Sequence, residues 1–408
     1  MASMRALRMG LCAVLCVSAI ACSGGGTTAN GSGGGNPPPP ASNVASVIID
    51  QGPSNASVNT LFTSVTVCAP GSTTSCQTID HIQVDTGSYG LRILAPVLTL
   101  TLSAETLTGG NALAECTQFV DGYSWGPVVS ADVTIGGETA HSLPVQVIGD
   151  SRFTNIPANC SSTGGMQEDT VASFGANGIL GVGPFELDCA DCATVLEGKY
   201  YGCAAACSET TVPTNLQVAN PVTRFATDNN GVIIELPSVA AAGASNVSGS
   251  LIFGIDTQSN NQSGTQTVLT VDTNADLLIM FNGQSLANSF IDSGSNGIYF
   301  NDSSIANCVA PANDPTSQIV DFYCPANPLT LGLSLQGMNG VMANNLTFTV
   351  GNAQTMFNSN FDAFPQLAGN NPNPGSFDYG LSFFYGRRVA VAVEGNTTSV
   401  GMGPYIAF

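Results

Sequence analysis

Val84-Asp85-Thr86-Gly87-Ser88-Tyr89-Gly90-Leu91 and Ile291-Asp292-Ser293-Gly294-Ser295-Asn296-Gly297-Ile298 are one pattern written twice, 207 positions apart. In each, an apolar run delivers Asp-Thr/Ser-Gly-Ser, then a second glycine followed by Leu or Ile. An aspartate at the end of a buried strand, followed by a small hydroxyl residue and glycine, suits a tight loop in which the backbone bends and packs closely. The hydroxyls of Thr86, Ser88, Ser293 and Ser295 can donate to the carboxylates and to nearby backbone. If pseudo-twofold symmetry brings the loops together, Asp85 and Asp292 cannot both ionise freely, and the pair shares one proton. Such a pair is acid and base at once, suited to activating water against a carbonyl while protonating its oxygen. A lone Asp-Thr-Gly describes any hairpin end; two copies with matching flanks specify much more.

With these motifs the chain resembles the pepsin-like aspartic proteases, and also bacterial lipoproteins that carry the same paired Asp-Thr/Ser-Gly-Ser. The resemblance implies an all-β protein, mostly β with short helices. Its expected architecture is a bilobal pepsin-like double-psi barrel with a cleft between two pseudo-symmetric lobes. Asp85 and Asp292 would be catalytic, with Thr86, Gly87, Ser88, Ser293, Gly294 and Ser295 supporting the dyad. Phe119-Val120-Asp121-Gly122-Tyr123-Ser124-Trp125-Gly126 falls where such enzymes carry a mobile flap, so Phe119, Gly122, Tyr123 and Gly126 are expected to cover substrate. Matching the glycines puts Phe119 in the place of the usual flap tyrosine, with Tyr123 nearby. Arg92 stands where many members carry the tryptophan that partners it. Gly178-Ile179-Leu180-Gly181-Val182-Gly183 resembles the element that passes behind the first aspartate. Phe377-Asp378-Tyr379-Gly380-Leu381 takes the equivalent place for Asp292, with Asp378-Tyr379 replacing two aliphatics. Asn220-Pro221-Val222 opens a short helix at the crossing between lobes, followed by paired strands at 232–236 and 250–256.

Composition agrees with such a fold. The chain has 408 residues, 43% of them hydrophobic, only 9% charged, and 46 glycines. That is enough apolar content for a large core, and the mix favours many short strands joined by polar turns. Residues 1–22 read as an export signal: Arg5 and Arg8 precede an apolar stretch too short to span a membrane comfortably. Ala19-Ile20-Ala21-Cys22-Ser23 resembles a lipobox with Cys22 as the acylated residue, and Ser23 resembles the sorting pattern of outer-membrane lipoproteins. Residues 23–42, rich in Gly, Ser and Pro, form a tether. The lobes are expected at 43–215, with the first Asp motif, the flap and a Cys-rich insertion, and at 216–408. Cleavage after Ala21 leaves 6 basic against 28 acidic side chains, a formal charge of −22, which argues against nucleic acid as a partner.

Ten of the 13 cysteines follow Cys22, and an even count in an exported chain implies up to five disulfides. Proximity pairs Cys68 with Cys76 and Cys308 with Cys324. Cys189, Cys192, Cys203 and Cys207 have the look of a zinc site, but in an oxidising compartment two disulfides are favoured, so no metal and no cofactor is expected. With His81 and His141 the only histidines and no Gly-x-Ser-x-Gly elbow, serine or cysteine hydrolase chemistry has little to work with. The leading expectation is an envelope endopeptidase, monomeric, lipid-anchored through Cys22, exported to the periplasmic or surface face of the outer membrane, and acting on extended peptides. The hydroxyl donors point to activity on the acid side. The other reading is an inactive surface lipoprotein that uses the same fold as a binding scaffold.

Overall fold

The computed structural model describes residues 42–408 apart from 121, 163, 164, 313, 315 and 316. The expected signal, Cys22 and nearly all of the tether lie outside the described residues. The described chain is mostly β. Its strands fall into three sheets, and its three α-helices are only four or five residues long.

Alternation decides which faces are buried. In Val44–Ile49 the residues Ala45, Val47 and Ile49 point inward, and Leu61–Cys68 likewise buries Val65 and Val67, as expected for β-branched residues at period two. Six strands of the first half close on themselves. Leu61–Cys68 pairs with Cys76–Asp85, then Gly178–Val182, Tyr89–Leu94, Glu138–Ile148 and Gly122–Ile135, and this last strand returns to Leu61–Cys68. The result is a barrel without free edges on that circuit. The second half builds a separate sheet of seven strands that includes Gln284–Ile291, Ile298–Tyr299 and Asp378–Tyr379.

The halves are joined by strand exchange. Val44–Ile49 leaves the first barrel to pair antiparallel with Val247–Phe253, and the run continues through Gly231–Glu235, Arg388–Ala392, Tyr405–Ala407 and Val268–Thr270. At the expected crossing a 3-10 turn, Pro221–Arg224, is capped by the Asn220 side chain on Val222 N. One continuous apolar core reaches from Val65 and Val84 through Phe253 to Ile291 and Val391. Near the junction, fully buried Asn59 donates to Asn296 O and Phe364 O and accepts from Phe364 N and the Tyr385 hydroxyl.

Five disulfides close the expected short loops, Cys68–Cys76 and Cys308–Cys324, and three more pairs: Cys116–Cys160, Cys189–Cys192 and Cys203–Cys207. The four candidate zinc thiols are therefore consumed in two bridges. This disulfide set marks an exported protein of an oxidising compartment. No helix among the described residues is long and apolar enough to cross a membrane.

Candidate active site

Asp85 ends a strand and Asp292 directly follows one, and in each case the chain turns and comes back with a third strand filling the gap. Gly178–Val182 lies parallel to Cys76–Asp85, with Asp85 opposite Gly181, and antiparallel to the returning Tyr89–Leu94, with Gly90 also opposite Gly181. In the second half Asp378–Tyr379 lies parallel to Gln284–Ile291 and antiparallel to Ile298–Tyr299. Glycine is required where the filling strand passes the loop. A Cβ on Gly181 would stand 2.6 Å from Tyr89 Cα, and one on Gly380 would stand 2.9 Å from Ser295 Cβ.

The two loops meet. A Cβ on Gly87 would come within 2.8 Å of Asp292 Cγ, and one on Gly294 within 2.7 Å of Asp85 Cγ. Thr86 N donates to Ser293 Oγ at 3.1 Å, and Ser293 N donates to Thr86 Oγ1 at 2.9 Å. Ser293 Oγ in turn donates a hydrogen bond to Val84 O at 2.9 Å. Gln83 Nε2 adds a bond to Gly294 O across the same seam. Thr86 and Ser293 thus fasten one loop to the other; of the two expected uses of these hydroxyls, carboxylates and nearby backbone, Ser293 takes the backbone. The carboxylates are held by backbone: Gly87 N donates to Asp85 Oδ1 and Gly294 N to Asp292 Oδ1, both at 2.7 Å. Ser88 Oγ is buried without a hydrogen-bond partner among the described residues.

Asp85 and Asp292 have no exposed surface. Burial, then the charges of Asp85 and Asp378, push the Asp292 carboxyl well above the ordinary carboxylate range, and a hydrogen bond with Asp85 adds to the rise. Asp85 Oδ2 has no donor among the described residues, so a proton held on Asp292 and shared with Asp85 satisfies both. Tyr89 stands beside the pair: burial and then the charges of Asp85 and Asp292 raise its phenol. The expectation of an acid-side site rested on hydroxyl donors. Here only Ser295 reaches a carboxylate of the pair, and desolvation outweighs it.

The second loop contains a third acid. Ser295 Oγ lies 3.1 Å from Asp292 Oδ2 and closer still to Asp378 Oδ2. Burial pushes Asp378 up to about 8 against the pull of the Ser295 hydroxyl. At the sequence level Asp378 reads only as the loss of an aliphatic support. The signal that identifies it is a carboxylate inside an otherwise apolar strand, which demands a partner.

The hairpin expected to act as a flap is built from Ala112–Gln118 and Gly122–Ile135, with Gln118 opposite Tyr123 and Phe119 N bonded to Gly122 O. Phe119, Gly122, Tyr123 and Gly126 are all buried. Phe119 packs edge-on to Phe174 beside Ile179, while Tyr123 joins Trp125, Tyr201 and the Cys116–Cys160 bridge. A Cβ on Gly126 would meet Val147 C at 2.8 Å, so this glycine serves close packing. The Cys-rich insertion is more than a loop, because Tyr200–Cys203 pairs with Ala112–Glu115 and Cys207–Glu209 adds a further strand. Arg92 anchors this layer. Its buried guanidinium donates to Glu115 at 2.6 and 3.2 Å, Asp188 at 3.0 Å, Thr117 at 2.9 Å and Tyr89 O at 2.7 Å. Lys199 and the Tyr200 hydroxyl complete the cluster on Asp188. Burial pushes Glu115 up to about 7 although Arg92 pulls it down. His81, by contrast, sits at the surface edge on Asp50 and Asp80.

The chain belongs to the DUF3443 family, described as proteins of unknown function. The match spans residues 39–408, which takes in both Asp loops, the disulfide-bonded hairpin and Asp378. No curated protein matches the sequence.

Proposed function

We propose that this protein is an aspartic-type endopeptidase of the bacterial envelope that hydrolyses extended peptides with a water activated between Asp85 and Asp292. The observation that carries the reading is the reciprocal lock of the two loops, Thr86 N to Ser293 Oγ and Ser293 N to Thr86 Oγ1, which holds two buried carboxyls against each other. The strand that fills each Asp turn, from Gly178–Val182 in one half and Asp378–Tyr379 in the other, supports a pepsin-like double-psi architecture. Asp85 takes a proton from water as its oxygen bonds to the peptide carbonyl carbon, and Asp292 gives its proton to the carbonyl oxygen. Collapse of the resulting diol returns that proton to Asp292, and Asp85 protonates the departing amine. The hairpin around Phe119, Gly122, Tyr123 and Gly126 forms one wall for the substrate. The protein works as a monomer, held to the outer membrane through acylated Cys22.

Purified protein incubated with an unfolded protein mixture from pH 3 to 8 is expected to cleave it. Asp85→Asn and Asp292→Asn, each with unchanged circular dichroism, are expected to reduce the rate by about 10³-fold or more. Cleavage that survives both changes rules the reading out. Palmitate labelling lost in Cys22→Ser checks the anchor.

A second reading, a catalytically silent binding scaffold, draws on one specific observation. The dyad has no exposed surface and the hairpin beside it is fastened by a disulfide and a third strand. Specific binding of a peptide by a chain that cleaves nothing at any pH would favour it.

A further inference from the structure

Ser295 is asked to do more than one hydroxyl can. It has a single proton, yet its oxygen is within hydrogen-bond distance of two carboxyl oxygens, Asp292 Oδ2 and Asp378 Oδ2. A hydroxyl can donate to only one of them; toward the other it must act as acceptor. One of the two acids therefore carries its own proton and donates it to Ser295 Oγ. Asp292 is already engaged by Gly294 N and by proton sharing with Asp85. Asp378 has neither. Its other oxygen, Oδ1, is buried without a donor, and no basic side chain among the described residues forms an ion pair with it.

We propose that Asp378 is a positioning residue that holds its own proton at neutral pH, donates it to Ser295 Oγ, and so commits the Ser295 hydroxyl to Asp292. The groups facing it are few. Ser295 stands on the loop of the second aspartate, Asp292 beyond it, Asp85 across the seam, and the strands on either side present Phe290, Ile291, Ile298 and Tyr299. Among the described residues, the charge that acts on Asp378 is negative, from Asp85. The site accordingly holds three carboxyls and two protons, with one net negative charge. Once the pH is high enough to ionise Asp378, its new charge strengthens the hold of Asp292 on the proton that the dyad shares. The alkaline limit of the dyad thereby lies at higher pH than it would without Asp378. This last step rests on the protease reading; the proton on Asp378 does not.

The experiment follows proton linkage in the full mature chain and in Asp378→Asn, which keeps the shape and a donor but cannot ionise. Urea unfolding midpoints are measured from pH 4.5 to 8, alongside cleavage where it occurs. The wild type is expected to release about one more proton on unfolding than Asp378→Asn across this range. In cleavage, the alkaline limb of kcat/KM is expected to move about one pH unit toward acid in the variant, with the acid limb unchanged. Equal proton linkage in the two proteins would overturn the proposal, as would an unmoved alkaline limb. If the wild type cleaves nothing, the protease reading falls and linkage alone decides. Should Asp378→Asn fail to fold, infrared spectra at pH 7 take its place. The protonated-carboxyl C=O band that survives in Asp292→Asn is expected to shift to higher wavenumber when Ser295→Ala is added, and an unchanged band would overturn the assignment.

Discussion

Two clusters of buried charge stand on either side of the Asp85 loop, and they are built on opposite terms. Under the hairpin, Glu115 and Asp188 are met by Arg92 and Lys199, and every carboxyl has a base within bonding distance. Behind the second loop, Asp378 is added to Asp85 and Asp292 with no base among the described residues paired to it, and a serine hydroxyl stands between two of the acids. Compensated charge of the first kind fastens one strand to another. Uncompensated acids of the second kind must keep protons at a pH where carboxyls ordinarily have none. The difference separates a cluster that builds structure from one equipped to move protons.

Removing the base from the compensated cluster should be the most damaging change. Arg92→Met leaves Glu115 buried without a base and Asp188 with Lys199 alone, and urea denaturation is expected to show a loss of about 3–5 kcal/mol. Gly87→Ala and Gly294→Ala each drive a methyl group onto the opposite carboxylate. About 1–3 kcal/mol of stability should go in each case, with cleavage suppressed in both; a variant that retains full stability would show that the loops sit farther apart. The two loop serines sharpen the contrast. Ser295→Ala strips Asp378 and Asp292 of a shared partner and should cost about 1–3 kcal/mol, whereas Ser88→Ala removes a hydroxyl with no partner among the described residues and should stay within about 0.5 kcal/mol of wild type. A different kind of test is the slope of stability with pH. Asp378 is raised from an ordinary 3.8 to about 8, so the unfolded chain gives up a proton that the folded chain keeps. Stability should therefore fall by about 1.4 kcal/mol per pH unit between those values for this one group, and level off above the upper one.

Much of this was legible from the chain itself. The paired motifs predicted two meeting loops because each states its turn locally: strand, aspartate, small hydroxyl, glycine. Gly181 was readable as a close-packing glycine for the same reason. Cys68–Cys76 and Cys308–Cys324 followed from closeness in sequence. What escaped depends on contacts between distant segments. Ser295 and Asp378 are 83 residues apart, and only strand register puts them on one face. Cys116 and Cys160 meet because a hairpin and the short Ala158–Ser161 helix pack together. The insertion carrying Tyr200–Cys203 looked like a loop because its strands are too short to announce themselves, and they form only against the edge supplied by Ala112–Glu115. Arg92 looked like a missing tryptophan because its partners lie 23 and 96 positions away.

Asn59 adds a constraint of another kind. Its amide gives both N–H groups to carbonyls at residues 296 and 364, and its oxygen takes one proton from the backbone of Phe364 and one from Tyr385. Aspartate has no N–H to give, leucine has neither function, and glutamine reaches a carbon too far. The backbone there also adopts the left-handed region at φ 48°, which asparagine tolerates better than most residues. Read as wiring, this is a socket with four pins cut for a single plug. In a saturation library selected only for folding, position 59 should return almost one letter, although it lies outside both Asp motifs.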